Sequence, residues 1–243
     1  ADAEEIIIAM GSVCECAEEL IDYLNARGRK VGIVEVHLYR PWSTKYLLNV
    51  MPETVKKIAV LDRTKEPGGT GEPLYLDVVT ALRGTKFESC LICGGRYGLG
   101  SKDVQPGDVL AVYENLWSDA PKKEFTISIT DDVTNLSIHG SENPDVAPKG
   151  TKACKFWGLG ADGTVGANKN SVKIIGDHTD MKAQAYFQYD SKKSGGVTIS
   201  HLRFGKNQIK ASYYVTKADF VACHSASYME KFDIVQDIKP GGT

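Results

Sequence analysis

The chain has 243 residues, 42% hydrophobic and 25% charged, enough for one large or two modest globular domains and too apolar for a disordered chain. Its net charge of -2 supplies no global basic field, so neither nucleic acid nor an anionic membrane is an expected partner. The longest apolar runs, residues 5–10 and 218–223, are far too short to span a bilayer, and no charged-then-apolar leader stands at the start, so a cytoplasmic protein is expected. Cys14, Cys16, Cys90, Cys93, Cys154 and Cys223 are too sparse for a disulfide scaffold and read as reduced, buried thiols.

From residue 4 to about 120, short apolar runs alternate with amphipathic stretches. Strands are expected over 6–10, 31–38, 57–62 and 89–93, with helices over 12–26, 43–51, 72–82 and 107–116. The nearly continuous apolar strands imply a parallel sheet covered on both faces. Ser12 with Glu15, and Ser43, stand where helix caps belong; Gly28 ends the first helix, and Pro73 sits in a first turn. Between 118 and 149 the composition turns to Asp, Ser, Asn, Pro and Lys, with only 125–129 strand-like, and the domains are expected at 1–122 and 123–243. The second reads as another β–α–β unit: 152–157, 164–175 and 181–189, followed by strands at 197–202, 209–215 and 220–223. The sequence begins without Met and stops on a turn at 238–243, so this second sheet is expected to be truncated from something longer.

The strongest local signal is the run from Phe156 to Lys169, with Gly158, Gly160 and Gly163 forming G-x-G-x-x-G between a strand and a helix, and Asp162, Thr164 and Gly166 beside them. Glycines permit positive φ and close approach, while the first free amides and the helix dipole attract an anion, so phosphate binding is expected. The alternative is a turn that needs glycine for packing alone. Asp190 stands near the place, about twenty residues on, where a nicotinamide-binding fold keeps a ribose-binding acid, though somewhat late. Ser191, Lys192, Lys193 and Ser194 follow it and suit a further phosphate, which favours a ligand carrying both a diphosphate and a ribose phosphate: coenzyme A or NADP. An ordinary solvated turn is the alternative for the lysine pair.

Other candidates are weaker. Cys90-x-x-Cys93 has redox or zinc spacing but falls in an expected strand without a second ligand pair, so structural thiols are expected. The five histidines show no metal-ligand spacing; His201 is the best placed for a site, with a hydrogen-bonded sheet residue as the competing reading. The loop from Lys65 to Pro73, with Gly68, Gly69 and Gly71 between Pro67 and Pro73, stands at a strand's carboxyl end where a ligand could be cradled, but its two stiffening prolines favour docking against a neighbouring domain. No Gly-Asp-Gly motif for thiamine diphosphate and magnesium and no cysteine-rich iron–sulfur run occurs in this sequence.

Three stretches together resemble the pyruvate:ferredoxin (flavodoxin) oxidoreductase family. They are Val60-Leu61-Asp62-Arg63-Thr64-Lys65-Glu66-Pro67-Gly68 through Val78; Gly95-Arg96-Tyr97-Gly98-Leu99-Gly100-Ser101-Lys102; and Phe156 to Lys169 with Tyr189 to Gly196. The first part, with Met10-Gly11-Ser12 and Leu38-Tyr39-Arg40-Pro41-Trp42-Ser43, is similar to the C-terminal domain of transketolase-like enzymes, a doubly wound parallel α/β sheet. The later part is similar to the gamma-type, Rossmann-like domain, cut short.

The resemblance implies oxidation of pyruvate with coenzyme A to acetyl-CoA and CO2, with electrons passing to ferredoxin or flavodoxin, in a homodimer. It implies that thiamine diphosphate, Mg and the 4Fe-4S clusters reside in other domains of the parent enzyme, and that this segment holds no catalytic residue. Carried over, Gly158, Gly160, Asp162, Gly163 and Thr164 would face the coenzyme A diphosphate, and Lys192 and Lys193 would meet phosphate oxygens. An NADP-binding dehydrogenase module and a purely structural docking segment stay open beside it.

Overall fold

The computed structural model describes residues 2–190 and 195–243. They form two compact units, Ala1–Val146 and Ala147–Thr243.

The first unit alternates β1 (Glu5–Ala9), α1 (Val13–Asn25), β2 (Val31–Glu35), α2 (Thr44–Val50), β3 (Lys57–Asp62), α3 (Pro73–Leu82), β4 (Leu91–Arg96), α4 (Pro106–Trp117) and β5 (Glu124–Thr126). The strands form one parallel sheet in the order β2-β1-β3-β4-β5. Both sheet faces are buried, as the uninterrupted apolar runs require. Ile6, Ile8, Ile58 and Val60 join Leu47 of α2 and Leu74, Val78 and Leu82 of α3 in one cluster. Ile7, Ala59 and Leu61, alternate in sequence, are fully buried on the other side. Each buried Ile or Leu contributes about 1.5–3 kcal/mol over leaving it in water, so the sheet centre dominates this unit's stability.

Helix ends differ in detail from the expected caps. Neither Ser12 nor Ser43 makes a side-chain cap bond; the capping box is at Gln105, whose amide donates to Asp108 at 2.9 Å. Gly28 follows α1 in the left-handed region, φ +86°. Asp62, 2% exposed, ends β3 and receives the Leu74 and Tyr75 amides at 2.9 and 3.1 Å, so a carboxylate from the neighbouring strand holds the start of α3. Burial pushes its carboxyl above the usual range, against the pull of those two amides.

The unit boundary falls at 146/147, against the 122/123 expected from composition, because residues 124–126 complete the first sheet. Phe125 is fully buried, and its ring occupies the space that a Cβ at Gly95 would fill. A polar loop thus carries one apolar strand back onto the β4 edge.

The second unit contains β6 (Lys152–Leu159), α5 (Thr164–His178), β7 (Lys182–Tyr189), β8 (Val197–Gly205) and β9 (Phe220–Cys223) in the order β7-β8-β6-β9. It is α/β but mixed: β8 runs antiparallel between β6 and β7, and only β9 lies parallel to β6. A Rossmann-like unit would place β7 directly beside β6, so Asp190 does not end the adjacent strand. Residues 209–215 form no strand, although Ile209, Ala211, Tyr213 and Val215 alternate inward. Their backbone is held by side chains: the Val215 amide donates to His201 Nδ1 at 3.0 Å, and Arg203 donates to the Tyr213 carbonyl at 2.8 Å. Period-two burial here marks an extended cover over the sheet, not a ladder.

Candidate functional site

β6 ends at Leu159 and α5 begins at Thr164, so the turn between them lies where the strand's carboxyl end meets a helix N-terminus. Gly163 needs its missing Cβ for backbone reasons, with φ +91°; Ala161 shares the left-handed region at +71°. Gly158 is required by close approach instead, since a Cβ there would stand 2.5 Å from Thr164 Oγ1 and 2.9 Å from Asp162 Oδ2. Gly160 lies against the next turn, and its amide donates to the Gly196 carbonyl at 2.8 Å. A Cβ on Gly166 meets nothing within 4 Å.

The side chains of Asp162 and Thr164 are occupied within the turn. Asp162 accepts from the Leu159 amide at 2.7 Å and from the Thr164 amide at 2.8 Å. Burial pushes the Asp162 carboxyl up, but these bonds, a third from the Thr164 hydroxyl and the neighbouring His224 outweigh it and leave it below the usual carboxylate range. The Thr164 hydroxyl meets His224 Nδ1 at 2.8 Å, and the His224 amide donates to the Trp157 carbonyl at 2.8 Å. His224 is not legible as a site residue in the sequence: it lies 60 positions after Thr164, and only the parallel pairing of β6 with β9 brings it here.

Among the described residues the amides of Ala161, Gly163, Val165 and Gly166 have no hydrogen-bond partner, which leaves a small set of donors at the positive end of α5. Beside them is a pocket of about 250 Å³, lined by Gly160, Ala161, Val165, Tyr189, Asp190 and Gly196. It is smaller than the ~300–1,000 Å³ of a whole ligand site, so it suits a diphosphate or a ribose and not a complete dinucleotide or acyl carrier. Lys192 and Lys193 lie outside the described residues; the flanking Asp190 and Gly196 both line this pocket.

Trp157 precedes the turn in sequence yet is 4% exposed, its ring 5.4 Å from Phe232, so it does not face the pocket. His201 is a structural residue. It stacks 4.6 Å from Tyr214 and accepts the Val215 amide at Nδ1, which leaves the ring proton on Nε2. Burial, with Lys155 and Arg203 nearby, pushes its pKa down to about 3, so the ring is neutral. Cys93 is buried and Cys90 half-buried with Sγ 3.3 Å from the Val55 carbonyl; burial raises both thiols. All six cysteines are free, and among the described residues no group of three or more His, Cys, Asp or Glu is arranged for a metal. Likewise, among them no helix is long and apolar enough to cross a membrane. In the Lys65–Pro73 loop, buried Glu72 accepts the Glu66 amide at 2.7 Å and pairs with Arg96, which makes the loop a braced structure.

Two family descriptions match this chain: "Pyruvate:ferredoxin oxidoreductase core domain II" over residues 3–109, and "Pyruvate ferredoxin/flavodoxin oxidoreductase" over residues 153–243. A pyruvate:ferredoxin oxidoreductase of Moorella thermoacetica is 58% identical over 99% of this chain and 20% of its own length. A pyruvate-flavodoxin oxidoreductase of Klebsiella pneumoniae is 54% identical over 100% of this chain and 21% of its own. A mitochondrial pyruvate dehydrogenase [NADP(+)] of Euglena gracilis is also 54% identical over 100% of this chain, but 14% of its own. The chain therefore spans about a fifth or less of the length of these curated relatives.

Proposed function

Because this chain belongs to the pyruvate ferredoxin/flavodoxin oxidoreductase family, we propose that it is one segment of a longer enzyme that oxidises pyruvate with coenzyme A to acetyl-CoA and CO2. The electrons leave through 4Fe-4S clusters to ferredoxin or flavodoxin in a homodimer, and the clusters, thiamine diphosphate and Mg belong to other segments. This segment's task is to hold the diphosphate end of coenzyme A, which positions the thiol for an acyl group formed elsewhere; it supplies placement, not acid–base chemistry. The first unit serves as the transketolase C-terminal-like scaffold and the second as the gamma-type, coenzyme A-binding part. Free thiols suit a reducing compartment such as the cytoplasm.

The observation that supports the reading is the set of unpartnered amides at Ala161, Gly163, Val165 and Gly166 at the start of α5, with Ala161 and Val165 lining a pocket of diphosphate size. Asp162 and Thr164 then act by shaping the turn, while the glycine backbone meets the phosphate. Coenzyme A is favoured over NADP because relatives named for flavodoxin and for NADP(+) both match the whole of this segment, so its presence does not track the electron acceptor in their names. What their names share is pyruvate. The non-adjacent placement of β7 also weakens the nicotinamide reading.

The lysine pair is the test. Calorimetric titration of the Lys192→Ala, Lys193→Ala double variant should show coenzyme A binding weakened by about 1–3 kcal/mol through lost charge-assisted bonds. Dephospho-coenzyme A should lose less. An unchanged affinity removes both lysines from the site, and tighter binding of NADP than of coenzyme A reverses the ligand assignment.

A further inference from the structure

The first unit carries an exposed apolar groove of about 500 Å³ between the end of β2 and α2. Leu38 is 72% exposed, Tyr46 73% and Val50 60%, and Pro41 and Trp42 line the same groove. Tyr46 and Val50 stand four apart on α2 and flank Leu47, which is buried in the core and lines the same groove. The apolar stripe of α2 therefore runs from the core out onto exposed surface, wider than the core alone uses.

The wall of the groove is fixed in advance. Tyr39 donates to Asp77 at 2.7 Å, Arg40 donates to the same carboxylate at 2.8 Å, and the Arg40 guanidinium lies 3.8 Å from the centre of the Tyr39 ring. Trp42 packs edge-on against Tyr39, with ring centres 6.2 Å apart. At the rim, His37 meets Glu35 at 3.2 Å. An apolar floor with aromatic anchors and a polar rim is the anatomy of a protein interface.

We propose that this groove is the docking site for a convex apolar patch carried by another part of the same longer polypeptide. Two arguments choose that occupant. The relatives carry about four fifths or more of their length outside the matched segment, which supplies abundant surface. A concave groove also cannot fill itself across a two-fold axis, where the same patch must be its own complement, so a second copy using this face fits poorly. The proposal rests on the reading of the chain as one segment of a longer enzyme, and is independent of coenzyme A.

Hydroxyl-radical footprinting on the 243-residue chain and on the longer polypeptide containing it tests this. Labelling at Leu38 and Tyr46 should be strong in the isolated chain and fall about fivefold or more in the longer polypeptide, as expected for anchors moved into a desolvated contact. In the longer polypeptide, Tyr46→Glu with Val50→Glu should restore labelling at Leu38 and expose a proteolytic site near the groove. Both residues are mostly exposed, so the isolated variant keeps its circular dichroism. Equal labelling in the two proteins overturns the proposal, as does a natural polypeptide no longer than this chain. Protection of Tyr46 that appears only as the isolated chain dimerises in sedimentation overturns it in favour of a second copy. A failed coenzyme A titration leaves these outcomes untouched.

Discussion

Replacing Asp237 by Ala is expected to destabilise the second unit by about 3–5 kcal/mol, more than any other single substitution proposed for this chain. Lys155 projects from β6 with its side chain 8% exposed and is paired with Asp237, itself 15% exposed, in the segment that closes over the sheet. The ammonium also lies 5.1 Å from the centre of the Trp157 ring, and His201 is opposite Lys155 in the β6–β8 register, so no second carboxylate is at hand in the ladder. Removing the carboxylate strands a buried charge. Replacing both partners, Lys155→Met with Asp237→Leu, removes the charge and its solvation cost together and should return most of the loss. Urea unfolding followed by hydrogen exchange of the β6 amides reads both variants; a single change as mild as the double one would show that the pair is solvated.

Gly158→Ala should have the second largest effect and acts on the site as well as on stability. Its Cβ would collide with Thr164, which cannot yield: its amide is held by Asp162, its hydroxyl by His224 and its carbonyl by Asn168 at 2.9 Å. The start of α5 must shift, at a cost of about 1–3 kcal/mol in stability. Because the free amides of Val165 and Gly166 move with that first turn, coenzyme A affinity should fall tenfold or more, about 1.4 kcal/mol. Gly166→Ala is the control. Its Cβ has open space, and Ala is favoured over Gly in a helix by about 0.8–1 kcal/mol, so binding should persist and unfolding should require more urea. Equal losses from the two changes would mean that the turn tolerates crowding and that glycine serves another purpose.

The parallel unit is largely legible in the sequence because its strands are buried on both faces and so leave unbroken apolar runs; β3 occupies the same residues, Lys57–Asp62, that the run marks. β4 continues to Arg96, past the cysteine where its apolar run stops, because the gap at Gly95 is filled by Phe125 from a later strand. That long-range packing leaves no local trace, and it also displaces the unit boundary. In the second unit, 209–215 has strand periodicity but is bonded to His201 and Arg203 side chains. The glycine turn can be located from spacing alone. The division of labour within it cannot, since whether Asp162 faces a ligand or its own amides depends on two rotatable bonds, and His224 arrives through the β6–β9 pairing.

The most direct test of the phosphate-binding turn is a coenzyme A titration of the 15N-labelled chain, followed at the individual backbone amides. Saturable shifts centred on Ala161, Gly163, Val165 and Gly166, larger than those from an equal concentration of NADP, are the predicted result. Unmoved amides in this turn at about 1 mM coenzyme A, a concentration that detects even a 4 kcal/mol interaction, would contradict it.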